Sequence, residues 1–534
     1  MRAGGKLGRD VETAPASSPG LPVRRTAYAL VYLASLALFG RELARFRDAQ
    51  TGLSSLILFG DHFAPRRLPQ LADVPLYTYA HSDGYDGQFY AQMAVAGNPF
   101  DPALARALDA PAYRERRILV PLAVHLLALG RPAAIVQLFA LANVICLALL
   151  AALLARWWFP PGDLGNLLRW AGVVFSAGMV VSTTRSLIDG PALLLLAVAA
   201  RQLERGRHRP AAVLLALAGL ARETSLLAAG AFWTPGQTPA ERRRALGATV
   251  VAAGPALGWA LLLASHFQHL GGLRNLAGPF AALPDKGRAL GAAWRAHGFD
   301  RALRGELLVL LALAVQIGFF VARRHHRDLW WRLGAAFALF APFLGAPVWE
   351  GFPSAAARAL LPLSLAFNRL APRSRRGLAL LVAGNLGLLA VPDLLGSITP
   401  SEQVAFVGGV RTHYQDGWLV PEHAGRDTWR WSSRSASLAL DNPGPAPRSA
   451  TLDFQLRSVT ARTVAVAVGD APPRRLALAA DRPLAVHLGP LPLPAGRTEM
   501  VFSTDAPPWS EPGPTGRPLA FSLHRFFVSV APEP

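Results

Sequence analysis

The chain has 534 residues, of which 52% are hydrophobic and only 16% charged, with a mean hydropathy of +0.28. A soluble globular protein usually carries about 25% charged residues, so a fold that is water-soluble throughout is excluded. The formal net charge of +20 does not indicate nucleic-acid binding, because the basic residues form short clusters between apolar runs: Arg24 and Arg25, Arg201 to Arg209, Arg242 to Arg244, Arg323 to Arg327, and Arg373 to Arg376.

Residues 1–25 are polar and mildly basic, without a signal-peptide cleavage pattern, so 26–43 is expected to be an uncleaved first membrane helix. Further embedded segments are expected at 118–130, 133–155, 168–182, 187–200, 211–220, 225–233, 247–265, 306–322, 330–346, 358–370 and 377–396, giving about ten embedded helices in a membrane domain over 26–396. Several are shorter than the roughly 20 apolar residues of a full span. Such pieces must be broken, paired or re-entrant, where protein or a water-filled cavity covers their backbone. Pro121 within 118–130 fits that description.

Basic clusters beside apolar segments mark cytoplasmic loops. This rule places the N-terminus, 201–209, 241–244, 323–328 and 371–376 inside. It leaves 44–115, the tip Arg222 to Thr224, the stretch 266–306, the tip 347–357 and everything after 396 outside. Parity then requires that 118–130 not cross fully. Nearly all basic residues are Arg, with Lys6 and Lys286 the exceptions, a bias that suits a bacterium with GC-rich DNA. The expected location is therefore the bacterial cytoplasmic membrane, with the C-terminal domain extracytoplasmic. Cys146 is the single cysteine, so no intrachain disulfide can brace that domain.

The outer stretch after the first helix contains His81-Ser82-Asp83-Gly84-Tyr85-Asp86-Gly87-Gln88-Phe89-Tyr90. Glycines beside two carboxylates let the backbone turn tightly and a ligand approach. The pattern is helical from Gln88, which puts Asp86 at an N-cap position. A carboxylate here could alternatively take a proton from a sugar hydroxyl or hold a divalent cation, with Asp83 as second ligand. Arg222 and Glu223 lie between two apolar half-helices, and Arg185 and Asp189 stand at the start of 187–200. Ionisable residues at such depth are costly and point to function, against a bland reading as self-satisfied pairs. Glu350 and Arg358 flank another outer tip. Arg114, Arg116 and Arg117 lead into 118–130, on the side where the positive-inside rule does not expect them: either the topology differs there, or they bind an anion such as a lipid phosphate.

Residues 397–426 are linker-like. After them, short apolar or alternating runs at 434–440, 450–457, 462–468, 474–479, 483–488, 498–503 and 519–531 are separated by turn residues. They predict an antiparallel β-sandwich over 427–534. Trp418, Trp429 and Trp431 could stack on sugar rings, or fill the core.

The Tyr85-Asp86-Gly87-Gln88-Phe89-Tyr90 loop resembles the first outer loop of GT-C-type integral membrane glycosyltransferases. The Ala221-Arg222-Glu223-Thr224 tip, the late outer loop ending in Arg358 and the appended domain are similar to a bacterial branch linked to cell-surface glycopolymer formation. The resemblance implies a polyprenyl-phosphate sugar donor, a glycan or glycolipid acceptor and an inverting transfer at the outer membrane surface, with no cofactor required and a divalent cation as the one candidate. It makes Asp86 the base or metal ligand and Asp83 the second candidate. It places Arg222, Arg358 or Arg117 on the lipid phosphate; by their place on the same outer face, His81, Gln88, Tyr90, Arg185, Asp189, Glu223 and Glu350 are further candidate binding residues. The alternatives are a transporter or flippase for lipid-linked saccharides, with charges lining a path across the bilayer, and a non-catalytic assembly factor acting through the β-domain.

Overall fold

A computed structural model describes residues 21–47, 51–60, 62–79, 82–268, 271–323, 325–396, 410–419, 422–424, 427–442, 445–512 and 516–530. The tail 1–20 and most of the expected linker lie outside these residues. The N-terminal part is helical and the C-terminal part is built of strands.

Among the described residues, four helices are long and apolar enough to cross a bilayer: Val23–Ala44, Pro132–Trp157, Pro239–Phe267 and Arg301–Ala322. Two pairs, Leu164–Val174 with Ala177–Thr184 and Arg375–Ala383 with Leu386–Leu395, are bent by 44° and 43°; counting each as one span gives six. The expected total of about ten includes shorter apolar pieces, such as His208–Ala221, that do not reach across alone. Leu119–Leu127 has nine residues. At 1.5 Å per residue it covers about 14 Å, half of a ~30 Å hydrocarbon core. Leu30, Leu33, Leu257, Leu261 and Val321 stay exposed on the long helices, an apolar surface that belongs in lipid. The chain is a multi-pass membrane protein.

The segment 225–233, expected as an apolar half-helix, instead forms the ten-residue 3₁₀ helix Glu223–Phe232. Runs of this length are uncommon because side chains at i and i+3 eclipse. The small residues Ala228, Ala229, Gly230 and Ala231 relieve that crowding. The 3₁₀ helix packs between His208–Ala221 and Leu329–Phe340.

The C-terminal part forms two five-stranded antiparallel sheets and a small antiparallel pair, Trp509–Ser510 with Pro518–Leu519. The strands of the two large sheets are β1 (Arg411–Tyr414), β2 (Glu422–Ala424), β3 (Asp427–Ser432), β4 (Ser435–Asn442), β5 (Arg448–Arg457), β6 (Arg462–Val468), β7 (Arg474–Leu478), β8 (Leu484–Leu493), β9 (Gly496–Ser503) and β10 (Phe521–Val530). One sheet has the order β8-β5-β10-β3-β2 and the other β1-β4-β9-β6-β7. In β5 every second residue, Ala450, Leu452, Phe454 and Leu456, is buried, the period of two that a half-buried strand requires. These side chains meet Leu438, Val466, Met500 and Phe502 in one core. The strands begin before the expected boundary at 427, because β1 and β2 fall within the linker-like passage. Each is short, and β1 is held by pairing with the distant β4. Trp418 donates to the Ser437 carbonyl at 2.9 Å and packs edge-on against Tyr414 and Phe502, so it serves the core. Trp429 stacks on His524 at 5.3 Å and donates to Glu422.

Candidate active site

The site begins with a loop folded back on itself. The Gln88 side chain donates to the Asp83 carbonyl at 2.6 Å and accepts from the Gly60 amide at 3.2 Å. Gly84, at φ +69°, makes the turn between them. The helix Asp86–Ala96 follows, and Tyr85 rather than Asp86 occupies the N-cap, without a side-chain bond to the helix end. This corrects the capping expectation: Asp86 is the first helical residue, and its carboxylate faces outward from the turn. At Gly87 a Cβ would collide with the carbonyls of Arg185 and Ile57. Only glycine lets this helix start lie directly on the turn at 185–186.

Asp86 meets two arginines. Its Oδ1 lies 2.9 Å from Arg114 and its Oδ2 3.9 Å from Arg358. Burial alone would raise its pKa, but the Arg114 and Arg358 guanidiniums outweigh that and hold it down to about 2. Arg114 is fixed by a two-pronged bond to Asp109 at 2.8 and 2.7 Å and lies over the rings of Phe89, Tyr90 and Tyr113. Arg358 also reaches Asp189 at 3.4 Å and the Tyr85 hydroxyl at 3.2 Å. Its backbone passes Gly178, where a Cβ would strike the Ala357 carbonyl.

The pairs expected between sequence neighbours are not formed. Glu223 is gripped by Arg117 at 2.9 and 2.8 Å rather than by Arg222. Arg222 pairs with the buried Asp189, which does not pair with Arg185. The Arg185 guanidinium instead stacks on the Tyr85 ring, 4.3 Å from its centre. Among the described residues no carboxylate pairs with Arg185, and its buried Nε has no hydrogen-bond partner.

These groups surround one cavity of about 950 Å³. Six arginines (114, 116, 117, 185, 222 and 358) and three carboxylates (Asp86, Glu223 and Glu350) line it. Segments expected on one side of the membrane, namely 85–117, 222–224, 272–276 and 347–358, all contribute to its wall. Glu350 is exposed at the edge. Below that rim Lys286 forms an ion pair with Glu306 at 2.5 Å and donates to the Gly351 carbonyl at 2.9 Å. Glu306 also accepts from the Ser354 amide, so the pair straps down the rim loop.

Other sequence candidates take supporting or distant places. Tyr90 is buried and its hydroxyl accepts from Arg117 at 2.5 Å, while Gln88 braces the loop. Asp83 is exposed, bonds His62 at 2.9 Å and does not line the cavity. His81 lies outside the described residues. The expected cation pair of Asp83 and Asp86 does not fit, since Asp86 is turned to arginines and Asp83 to His62. No group of three or more His, Cys, Asp or Glu that could hold a metal ion occurs among the described residues.

No described protein family matches the chain, and no curated protein matches it either. Among solved structures, the single-particle cryo-EM structure of arabinosyltransferase EmbB from Mycobacterium smegmatis is similar. It shares 12% sequence identity with a TM-score of 0.34, over 98% of this chain and 66% of that one. The chain thus spans 66% of that structure's length.

Sequence reasoning did not assign Arg114 to Asp86, nor Asp109, Tyr85 and Tyr113 to the site. One signal was present: Arg114 and Arg117 stand three residues apart, a spacing that turns both toward one side of a helical turn. Between them Glu115 is fully buried with both carboxylate oxygens unpaired, and burial pushes its pKa up to about 8.

Proposed function

We propose that the protein is a GT-C-type membrane glycosyltransferase, moving a sugar from a polyprenyl-phosphate donor to a glycan or glycolipid acceptor at the outer membrane face. The observation that carries this reading is an ionised carboxylate, Asp86, set against Arg114 and Arg358 in a cavity walled by six arginines. The sequence resemblance at Tyr85 to Tyr90 points the same way.

In this reading the arginines hold the donor phosphate, since guanidinium matches phosphate oxygens in pairs. The acceptor hydroxyl attacks the anomeric carbon from the side opposite the phosphate. The bond from that carbon to the phosphate oxygen breaks, its electron pair leaves with the phosphate, and the hydroxyl proton passes to Asp86. Displacement from the opposite side inverts the anomeric centre. The negative charge that grows on the leaving phosphate develops among fixed cations, where stabilisation is largest. Asp86 is a weak base while both arginines face it. A phosphate that drew Arg358 away would strengthen it for the proton transfer.

The test is to incubate the purified protein with a panel of radiolabelled polyprenyl-phosphate sugars and envelope glycan acceptors. Transfer by the wild type, lost in Asp86→Asn, is the expected result. Donor binding without transfer from any member of the panel would favour the transporter or assembly-factor reading.

A further inference from the structure

A second cavity, of about 370 Å³, lies at the other end of the helices that build the first. The bent pair Leu164–Val174 and Ala177–Thr184 leads from Asp163, in its wall, to Arg185 in the arginine cavity. That is a helical path of roughly 30 Å, the thickness of a hydrocarbon core. The run Ala356–Ala359 and Leu361–Leu370 returns from Arg358 to Pro372, again in the second cavity. The first helix agrees, with Arg25 alongside Gly162 at its start and the segment bearing Asp86 following its end. The second cavity therefore sits at the opposite membrane face.

We propose that this cavity binds the headgroup of an anionic phospholipid from that leaflet. Three arginines line it. Arg169 is only 4% exposed, and its guanidinium is bonded to the Asn368 and Pro372 carbonyls at 2.7 and 3.2 Å. Arg373 and Arg375 are exposed, and among the described residues none of the three forms an ion pair. The one carboxylate in the wall, Asp163, is engaged by the Asn166 amide at 2.8 Å. A buried cation beside two more calls for an anion. The helices Leu164–Val174 and Arg375–Ala383 both begin here, adding the positive ends of their dipoles. Leu378 and Leu381 supply an apolar floor. Arginines over an apolar floor suit a phosphate joined to acyl chains, and basic pockets between membrane helices bind such headgroups.

The experiment uses the full-length protein, delipidated in neutral detergent, with phosphatidylglycerol or phosphatidylcholine added and bound lipid counted by native mass spectrometry. Phosphatidylglycerol should be retained in preference to phosphatidylcholine, and the double variant Arg373→Gln/Arg375→Gln should lose that preference by about tenfold or more. Both substituted side chains are exposed, so the variant should unfold at the wild-type temperature without lipid. Equal retention of the two lipids, unchanged retention by the variant, or displacement of phosphatidylglycerol by millimolar inorganic phosphate would each overturn the proposal. The last outcome would indicate a site for the free anion.

Discussion

Asp86 lies 2.9 Å from Arg114, and no side-chain bond ties it to the start of its own helix. Capping and chemistry therefore separate cleanly in Asp86→Asn. The substitution removes the charge without removing a cap, so the local fold should survive. A positioned carboxylate contributes about 10²–10⁴-fold by general-base catalysis, and transfer should fall by that order. Thermal unfolding in detergent and a transfer assay measure the two effects. A folded variant with near-normal transfer would leave Asp86 as a mere counter-ion for Arg114.

Arg185 and Arg222 should respond differently to the same change. Arg222→Gln removes one of the two counter-ions of the buried Asp189, Arg358 remaining at 3.4 Å, so the loss should stay below the ~3–5 kcal/mol of a buried pair broken outright. Its main effect should be on stability, and Arg222→Gln combined with Asp189→Asn should be milder than the single change. Arg185 has no carboxylate to strand. Arg185→Gln should leave the unfolding temperature in place and weaken donor binding by roughly ten- to a hundredfold, the worth of a charge-assisted hydrogen bond. Unchanged donor affinity in Arg185→Gln would remove this arginine from the phosphate site.

Glu115 gives a pH signature. In the unfolded chain a glutamate titrates near ~4.3, whereas in the fold burial pushes it up to about 8. Between these values the folded state holds the extra proton, so stability should fall as pH rises from about 4 to about 8. Glu115→Gln is neutral throughout and should flatten that slope. The variant should match the wild type near pH 4 and exceed it at pH 8 in thermal unfolding. Parallel pH profiles would mean that Glu115 is solvated in solution.

Orientation can be read with one cysteine. In a chain whose Cys146 has been replaced, His325→Cys should resist an impermeant thiol reagent in intact cells and react after permeabilisation. The loop bearing it lies in the basic cluster 323–328, which the positive-inside rule puts in the cytoplasm. Labelling in intact cells would invert the topology and move the arginine cavity to the cytoplasmic face.

Several elements were legible in the sequence. The strands Ser435–Asn442, Arg448–Arg457, Arg462–Val468, Arg474–Leu478 and Gly496–Ser503 fall within one or two residues of the apolar runs that predict them. The helix Pro132–Trp157 likewise matches its apolar run. Both signals are local: a period of two, or a continuous apolar stretch, is imposed by the solvent each residue faces. The short strands Arg411–Tyr414 and Glu422–Ala424 were not legible, because four and three residues carry too little pattern: the first is held by pairing with the distant Ser435–Asn442 and the second by a hairpin with Asp427–Ser432.

By itself, the sequence singled out candidate residues, because a charged side chain in an apolar segment advertises its own cost. Arg185, Asp189, Arg222, Glu223 and Arg358 stand out on that ground, and Asp86 by the glycines beside it in the outer loop. Only the tertiary structure decided who pairs with whom. Arg222 sits in an extended conformation at φ −154° and ψ 115°, so its side chain and that of the adjacent Glu223 leave the chain in different directions and find Asp189 and Arg117. The four-residue spacing of Arg185 and Asp189 would pair them on a continuous helix. Ser186, at φ 44°, breaks the helix between them and frees Arg185 for the cavity.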